Sequence, residues 1–203
     1  MTSEEIMMIL KGKKAGIAGC GGLGSNCAVA LARAGVGALV IVDFDVIDES
    51  NLNRQYYFRD QIGMLKVTAL KNNLERINPF IDISAVELRL SPPDILKYFS
   101  GCDVIVEAFD DAGMKLMMID TVLNQMPEKF LVTGVGMAGW GDNNSIRTRI
   151  SDKLVICGDE TNEVSADVPA IAPRVGVVAN MQANAVLEIL LGKNPFQAIR
   201  TSF

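Results

Sequence analysis

The chain has 203 residues, 49% of them hydrophobic and 21% charged, which suits one sizeable core and excludes global disorder. Lys and Arg number 19 against 24 Asp and Glu, and the net charge of −5 disfavours broad nucleic-acid or membrane-surface binding. Histidine is absent, which excludes Ser-His-Asp triads, histidine proton relays and His-based zinc sites.

In chain order, residues 3–10 predict a short helix, with Thr2 or Ser3 as cap and Glu4 and Glu5 in its first turn. Residues 14–18 predict a buried strand, 24–34 an Ala- and Leu-rich helix, and 38–42 a second buried strand ending at Asp43. A polar loop spans 43–57. An amphipathic helix near 64–77 stops at Asn78-Pro79; a strand at 81–88 and a helix at 92–99, with proline in its first turn, follow. Residues 104–109 predict another buried strand, 112–125 a helix whose Met114, Met117 and Met118 suit a core or a dimer interface, and 130–135 a further strand. Residues 144–157 predict two shorter strands with one exposed face, about 158–168 a polar crossover loop, and about 173–191 the C-terminal helix. That helix is interrupted by Asn180, Gln182, Asn184 and Glu188, so it is a buried or interface helix and not a membrane span.

Alternating strands and helices with near-continuous apolar strands imply an α/β fold in a single domain over 1–203. It is expected to be a Rossmann-like, mainly parallel sheet with helices on both faces and a small antiparallel extension. Cys20, Cys27, Cys102 and Cys157 form no C-x-x-C pair, so no zinc is expected, and their scatter suggests reduced thiols in a cytoplasmic protein. The N-terminus is too acidic and its apolar run too short for a secretory signal.

Gly19-Cys20-Gly21-Gly22-Leu23-Gly24 has G-x-G-x-x-G spacing between a strand and a helix. Glycines permit the tight turn and a close approach to phosphate, and the helix N-terminus supplies free N–H donors and a positive dipole end. Asp43 stands where a carboxylate accepts from a ribose hydroxyl pair. The alternative is a tight structural turn, and the loop alone does not choose among NAD, FAD and ATP. Residues 43–55 discriminate: Asn51, Arg54 and Gln55 cluster there and Lys66 opens the next helix, a set suited to a polyphosphate on which charge develops. Asp110 and Asp111 follow the strand ending at Phe109, where a carboxylate suits Mg²⁺; the alternative for Asp110, compatible with the first, is N-cap of helix 112–125. Asp45 and Asp48 fit turn formers.

The run G-x-G-G-L-G-S, then D-F-D-x-x-x-x-S-N-L-N-R-Q, then Gly63-x-x-Lys66 and Ala108-Phe109-Asp110, resembles the ThiF/MoeB/HesA family, bacterial relatives of ubiquitin-activating enzymes, from roughly residue 12 to 192. The chain is most similar to the compact ThiF-type proteins of thiamine-thiazole synthesis. The resemblance implies an ATP- and Mg²⁺-dependent adenylyltransferase that activates the C-terminal Gly-Gly of a small β-grasp sulfur-carrier protein and works as a homodimer. It implies that Gly22 admits the phosphates, Asp43 holds the ribose, and Ser50, Asn51 and Arg54 contact phosphates, with Gln55 in support. It further implies that Lys66 neutralises the polyphosphate and that Asp110, with Asp111 beside it, coordinates Mg²⁺. Arg54, Lys66 and Asp110 are thereby the expected catalytic residues.

Some family features are missing. Residues 1–13 hold no arginine to reach across a dimer, and Ser165 stands where some relatives place a catalytic cysteine. Cys157 fits a small strand-end residue better than a sulfur carrier. Gly139-Trp140-Gly141 suits a turn with a packed indole or the lining of a tail channel. Arg147 and Arg149 suit a solvated sheet face or an acidic partner, and Arg174 a local salt bridge or the incoming tail. Open alternatives are a molybdopterin-type carrier, an RNA-linked substrate, and a non-catalytic ATP- or NAD-binding module. A dehydrogenase gains nothing from Arg54 and Lys66.

Overall fold

The structure, a computed structural model, describes residues 1–192. Its strands are β1 (Lys14–Ala18), β2 (Ala38–Asp43), β3 (Asp82–Glu87), β4 (Val104–Glu107), β5 (Phe130–Val135), β6 (Arg147–Ser151) and β7 (Leu154–Gly158). Its helices are α1 (Ser3–Lys11), α2 (Gly22–Ala34), α3 (Lys66–Ile77), α4 (Pro92–Phe99), α5 (Ala112–Gln125) and α6 (Ala172–Leu190). One sheet runs in the order β3-β2-β1-β4-β5-β7-β6, parallel throughout except where β6 pairs antiparallel with β7. The expected α/β architecture with its small antiparallel extension is what the chain adopts.

Period-two alternation sorts the strand residues between two cores. Leu39, Ile41, Val104, Val106 and Val132 point into the layer formed by α2, α3 and α6. Val40, Val42, Ile105 and Leu131 point to the opposite layer, with Ile95 and Phe99 of α4 and Met118 and Val122 of α5. With both faces covered, the central strands carry no polar alternation, as parallel sheets require. Gly16 lets α4 settle onto the sheet: a Cβ there would lie 2.4 Å from Phe99 Cδ1. β6, at the edge, is the strand with mostly exposed residues.

From β1 the chain builds outward through β2 to β3, then returns to place β4 on the other flank of β1. That reversal opens a crevice beyond the carboxyl ends of β1 and β4, where ligands bind in open α/β sheets. Element ends differ from the sequence reading in two instructive places. α2 begins at Gly22, because the glycines themselves form its first turn. β4 ends at Glu107, because its carboxylate folds back to accept from Phe109 N at 2.7 Å and breaks the ladder. Of the Met-rich helix, Met118 is fully buried and Met114 and Met117 pack against the same core. No helix among the described residues is long and apolar enough to cross a membrane.

Gly24 is the tightest point of the glycine turn, since a Cβ there would sit 1.8 Å from Gly19 O. Gly24→Ala is expected to cost about 1–3 kcal/mol by overpacking. In a chain of this size that lowers Tm by about 2–4 °C per kcal/mol. An unchanged melting temperature would contradict the close approach.

Candidate functional site

The carboxyl ends of β1, β2, β4 and β5 frame a cleft of about 440 Å³, a volume suited to a small ligand. Gly19 makes the turn beneath it with φ +95°, and a Cβ there would meet Ala108 O at 2.8 Å. Asp43, nearly buried at the end of β2, accepts from Cys20 N at 2.6 Å through Oδ2 and from Asp45 N at 2.8 Å through Oδ1. Burial pushes the Asp43 carboxyl above the usual carboxylate range, opposed by those two N–H donors and by Lys66. Its remaining lone pairs face the cleft side, where a hydroxyl pair can donate to them. Phe44 and Arg89 form the outer lip there, the guanidinium 5.4 Å from the ring centroid.

Three side chains zip the polar segment onto the glycine turn. Ser25 Oγ donates to Gly21 O at 2.6 Å and accepts from Tyr56 N at 3.0 Å. Asn26 Nδ2 donates to Gly22 O and Arg54 O. Buried Tyr57 donates its hydroxyl to Cys20 O at 2.7 Å, and burial raises that phenol's pKa. Arg54 thereby lies over Gly22, where a Cβ would come 3.0 Å from Val175 Cγ1 and 3.6 Å from Arg54 Cγ. The guanidinium donates to Ser50 O and Asn53 Oδ1, both neutral acceptors.

The expected site residues divide in two. Gly22, Asp43, Arg54, Gln55, Lys66, Asp110 and Asp111 line one cleft although they come from four separate segments. Ser50 and Asn51 do not line it. They form a short 3-10 turn capped by Asp48, whose Oδ1 accepts from Ser50 N at 2.9 Å while Asn51 Oδ1 accepts from Asp48 N at 3.1 Å. Gln55 is buried, and its Oε1 has no hydrogen-bond partner among the described residues. An unpaired buried acceptor is costly, and a ligand hydroxyl or metal-bound water would satisfy it.

Lys66 is buried at the start of α3, and its ammonium donates to Asp45 Oδ2 at 2.7 Å. Asp45 is therefore the lysine's anchor as well as a turn residue, a role its sequence position does not announce. At the other side, Asp111 and not Asp110 caps α5, accepting from Met114 N at 2.7 Å. That leaves Asp110 exposed at the cleft mouth. One turn into α5, Lys115 reaches the floor and donates to the buried Glu107 carboxylate at 2.5 Å and to Gly134 O at 3.1 Å. Glu107 and Lys115 were invisible to motif reading, because Lys115 follows no recognisable signature. No group of three or more His, Cys, Asp or Glu among the described residues could hold a metal unaided. Mg²⁺, which keeps waters and borrows phosphate oxygens, fits such a sparse acidic edge.

The β5–β7 side forms the far wall. Trp140 does not pack into its turn: it is 70% exposed, between Gly139 and Gly141, both at positive φ. Arg174 makes the local salt bridge, with Asp159, both side chains buried. Arg149 pairs bidentately with Glu160, so the exposed face of β6 is internally compensated. Cys157 is fully buried on β7 and burial pushes its thiol up to about 11; Ser165 Oγ caps Val168 N in the crossover loop. All four cysteines are buried free thiols. At pH 7.5 the folded protein is therefore expected to resist alkylation at all four, with full modification only after unfolding. Rapid labelling of Cys157 in the native state would contradict this.

The chain matches the ThiF family over residues 2–202. It is 30% identical over 193 residues to the adenylyltransferase and sulfurtransferase UBA4 of Candida glabrata, covering 90% of this chain and 43% of that protein. It is 36% identical over 115 residues to the probable adenylyltransferase/sulfurtransferase MoeZ of Mycobacterium tuberculosis, covering 56% of this chain and 29% of that one. The chain thus spans less than half the length of these curated relatives. Among solved structures, the E. coli tRNA N6-threonylcarbamoyladenosine dehydratase TcdA bound to AMP superposes with TM-score 0.84 at 21% identity, covering 93% of this chain and 90% of that one. E. coli MccB with ATP superposes with TM-score 0.70 at 23% identity, covering 93% and 59%. Both share the fold. With the glycine turn, the S-N-L-N-R-Q segment and the Asp110 edge all on one sheet rim, the chain belongs to the ThiF family.

Proposed function

We propose that this chain is a Mg·ATP-dependent adenylyltransferase that activates the C-terminal glycine of a small ThiS-like sulfur-carrier protein. The product is an acyl-adenylate, with pyrophosphate released. The observation that carries this reading is the convergence of Arg54, Lys66 and Asp110 on the cleft already held by Gly22 and Asp43. The names of UBA4 and MoeZ, both adenylyltransferases, support it.

The chemistry asks little of a proton relay. A carboxylate nucleophile is already ionised at neutral pH, so a chain without histidine loses nothing. What remains is alignment and charge. Asp43 holds the ribose end and the N-terminus of α2 takes the phosphates. Arg54, with only neutral partners, faces the developing charge at the α-phosphate, and Lys66 leans on the departing pyrophosphate. Asp110 and Asp111 would hold Mg²⁺, which when bound neutralises the phosphate oxygens. Gly134–Met137 wall the β5 side of the cleft, across from Asp43, and that is the side this reading leaves for the peptide tail. Ser50 and Asn51 contribute by shaping the turn that presents Arg54. Buried thiols suit a reducing cytoplasm. The partly exposed face of α6, including Val177, suits the homodimer.

Arg54→Ala and Lys66→Ala are each expected to slow ATP–pyrophosphate exchange by about 10²–10³-fold, equivalent to about 2.7–4 kcal/mol of transition-state stabilisation. The fold should remain intact, as judged by the melting curve. Wild-type exchange in either variant would overturn the assignment. Mass spectrometry of ThiS-type and molybdopterin-type carriers after incubation with Mg·ATP decides the substrate. An adenylate on the ThiS-type tail supports the proposal, and adenylation confined to the other carrier refutes that part.

A further inference from the structure

Two irregular loops build the cleft wall beyond β5 and β7, and one buried side chain joins them. The first runs from Gly136 to Ser145, with Gly136, Gly139, Gly141 and Asp142 at positive φ. The second is the crossover after β7, from Asp159 to Ala170. Gly136 and Met137 of the first and Asn162, Val164 and Ala170 of the second line the cleft. Loops of this kind, lacking a sheet ladder, need side chains to hold them.

Arg174, in the first turn of α6, does so. Its Nη1 donates to Gly141 O at 2.5 Å, and its Nη2 donates to the Asp159 carboxylate and to Ser145 Oγ at 3.3 Å. Asp159 accepts in turn from Thr161 N at 2.8 Å, from Asn162 N at 2.9 Å and from Asn162 Nδ2, and so shapes the start of the crossover. Gly136 makes room for it, since a Cβ there would lie 1.9 Å from Asp159 Oδ1. Three backbone bonds, Gly139 N to Pro169 O at 2.9 Å and, both at 3.4 Å, Ala138 N to Asn162 O and Asp159 N to Gly136 O, close the seam between the loops. The side chains of Arg174 and Asp159 are 3% and 0% exposed, so the pair lies out of solvent and holds one geometry. Burial works against the Asp159 charge, but the backbone donors, Asn162 and Arg174 outweigh it and hold the carboxyl below the usual range.

We propose that Arg174 is a positioning residue for the substrate's peptide tail: it staples the two loops, the first of which carries the exposed Trp140, into a fixed wall of the cleft. This rests on the adenylyltransferase reading, and it assigns the β5–β7 half of the cleft to the carrier while β1 and β2 serve the nucleotide. Trp140 is the chain's single tryptophan, so its emission reports on the stapled loop directly.

The test compares wild type with Arg174→Met/Asp159→Leu, which removes both charges and leaves no lone buried ion, and with Arg174→Lys, which keeps the charge but loses the fork. In the folded double variant, time-resolved anisotropy of Trp140 should gain a fast local component. KM for the carrier should rise about tenfold or more while KM for ATP and kcat stay within about twofold, a split expected when only one substrate is misplaced. Arg174→Lys should recover part of both effects. Unchanged Trp140 anisotropy, or a loosened loop with unchanged carrier KM, would overturn the proposal. Absence of any adenylate with the wild type would instead defeat the adenylyltransferase reading, and the anisotropy still decides the staple.

Discussion

Two backbone N–H groups converge on the Asp43 carboxylate, and the cleft is organised around that point. A carboxylate buried at a strand end is costly unless its oxygens are hydrogen-bonded. Cys20 N and Asp45 N meet that requirement, one from the glycine turn after β1 and the other from the polar segment after β2. The same group therefore fixes the N-terminus of α2, proposed to receive phosphates, and the start of the segment that delivers the cations. Tyr57, Ser25 and Asn26 extend this pinning to residues 54–57. The nucleotide side of the site is thus organised by strand ends and by a polar segment pinned to them.

The cleft is also asymmetric in charge. Lys66 and Lys115 are each held by a carboxylate, Asp45 and Glu107 respectively. Arg54 leans on a carbonyl and an amide oxygen. Of these three cations it alone keeps a net positive charge toward the cleft. On the adenylyltransferase reading, that is where the electrophilic phosphorus would be best stabilised, since fixed donors act most strongly on charge that appears during reaction.

Much of this was legible in the residues. Apolar runs such as ALVIV and VIVEAF betray strands covered on both faces, and the glycine spacing places a tight turn between β1 and α2 with Asp43 at the end of the next strand. The rest concerns partnerships across distance. Nothing periodic links Asp45 to Lys66, Glu107 to Lys115, or Asp159 to Arg174, and such pairs exist only once the sheet brings their segments together. Ser50 and Asn51 lie within a recognisable signature, but a capping turn consumes their local hydrogen bonds and holds them outside the cleft. Asp110 and Asp111 are adjacent carboxylates, and only the backbone angle at the helix start decides that Asp111 caps. Trp140 misleads for a related reason. Its apolarity suggests burial, whereas flanking glycines in the left-handed region swing it outward.

The ion pair between Lys66 and Asp45 bears on which anions the proposed nucleotide cleft would accept. A carboxylate tethered within the same fold competes at a high effective concentration. Chloride or a lone orthophosphate, gripping at one spot, would lose that contest. On the proposed adenylyltransferase reading, a chain of three linked phosphates would engage the α2 terminus and Arg54 together and so displace the tethered acid as part of one grip. Selectivity against small inorganic anions would then follow from the Lys66–Asp45 pair itself.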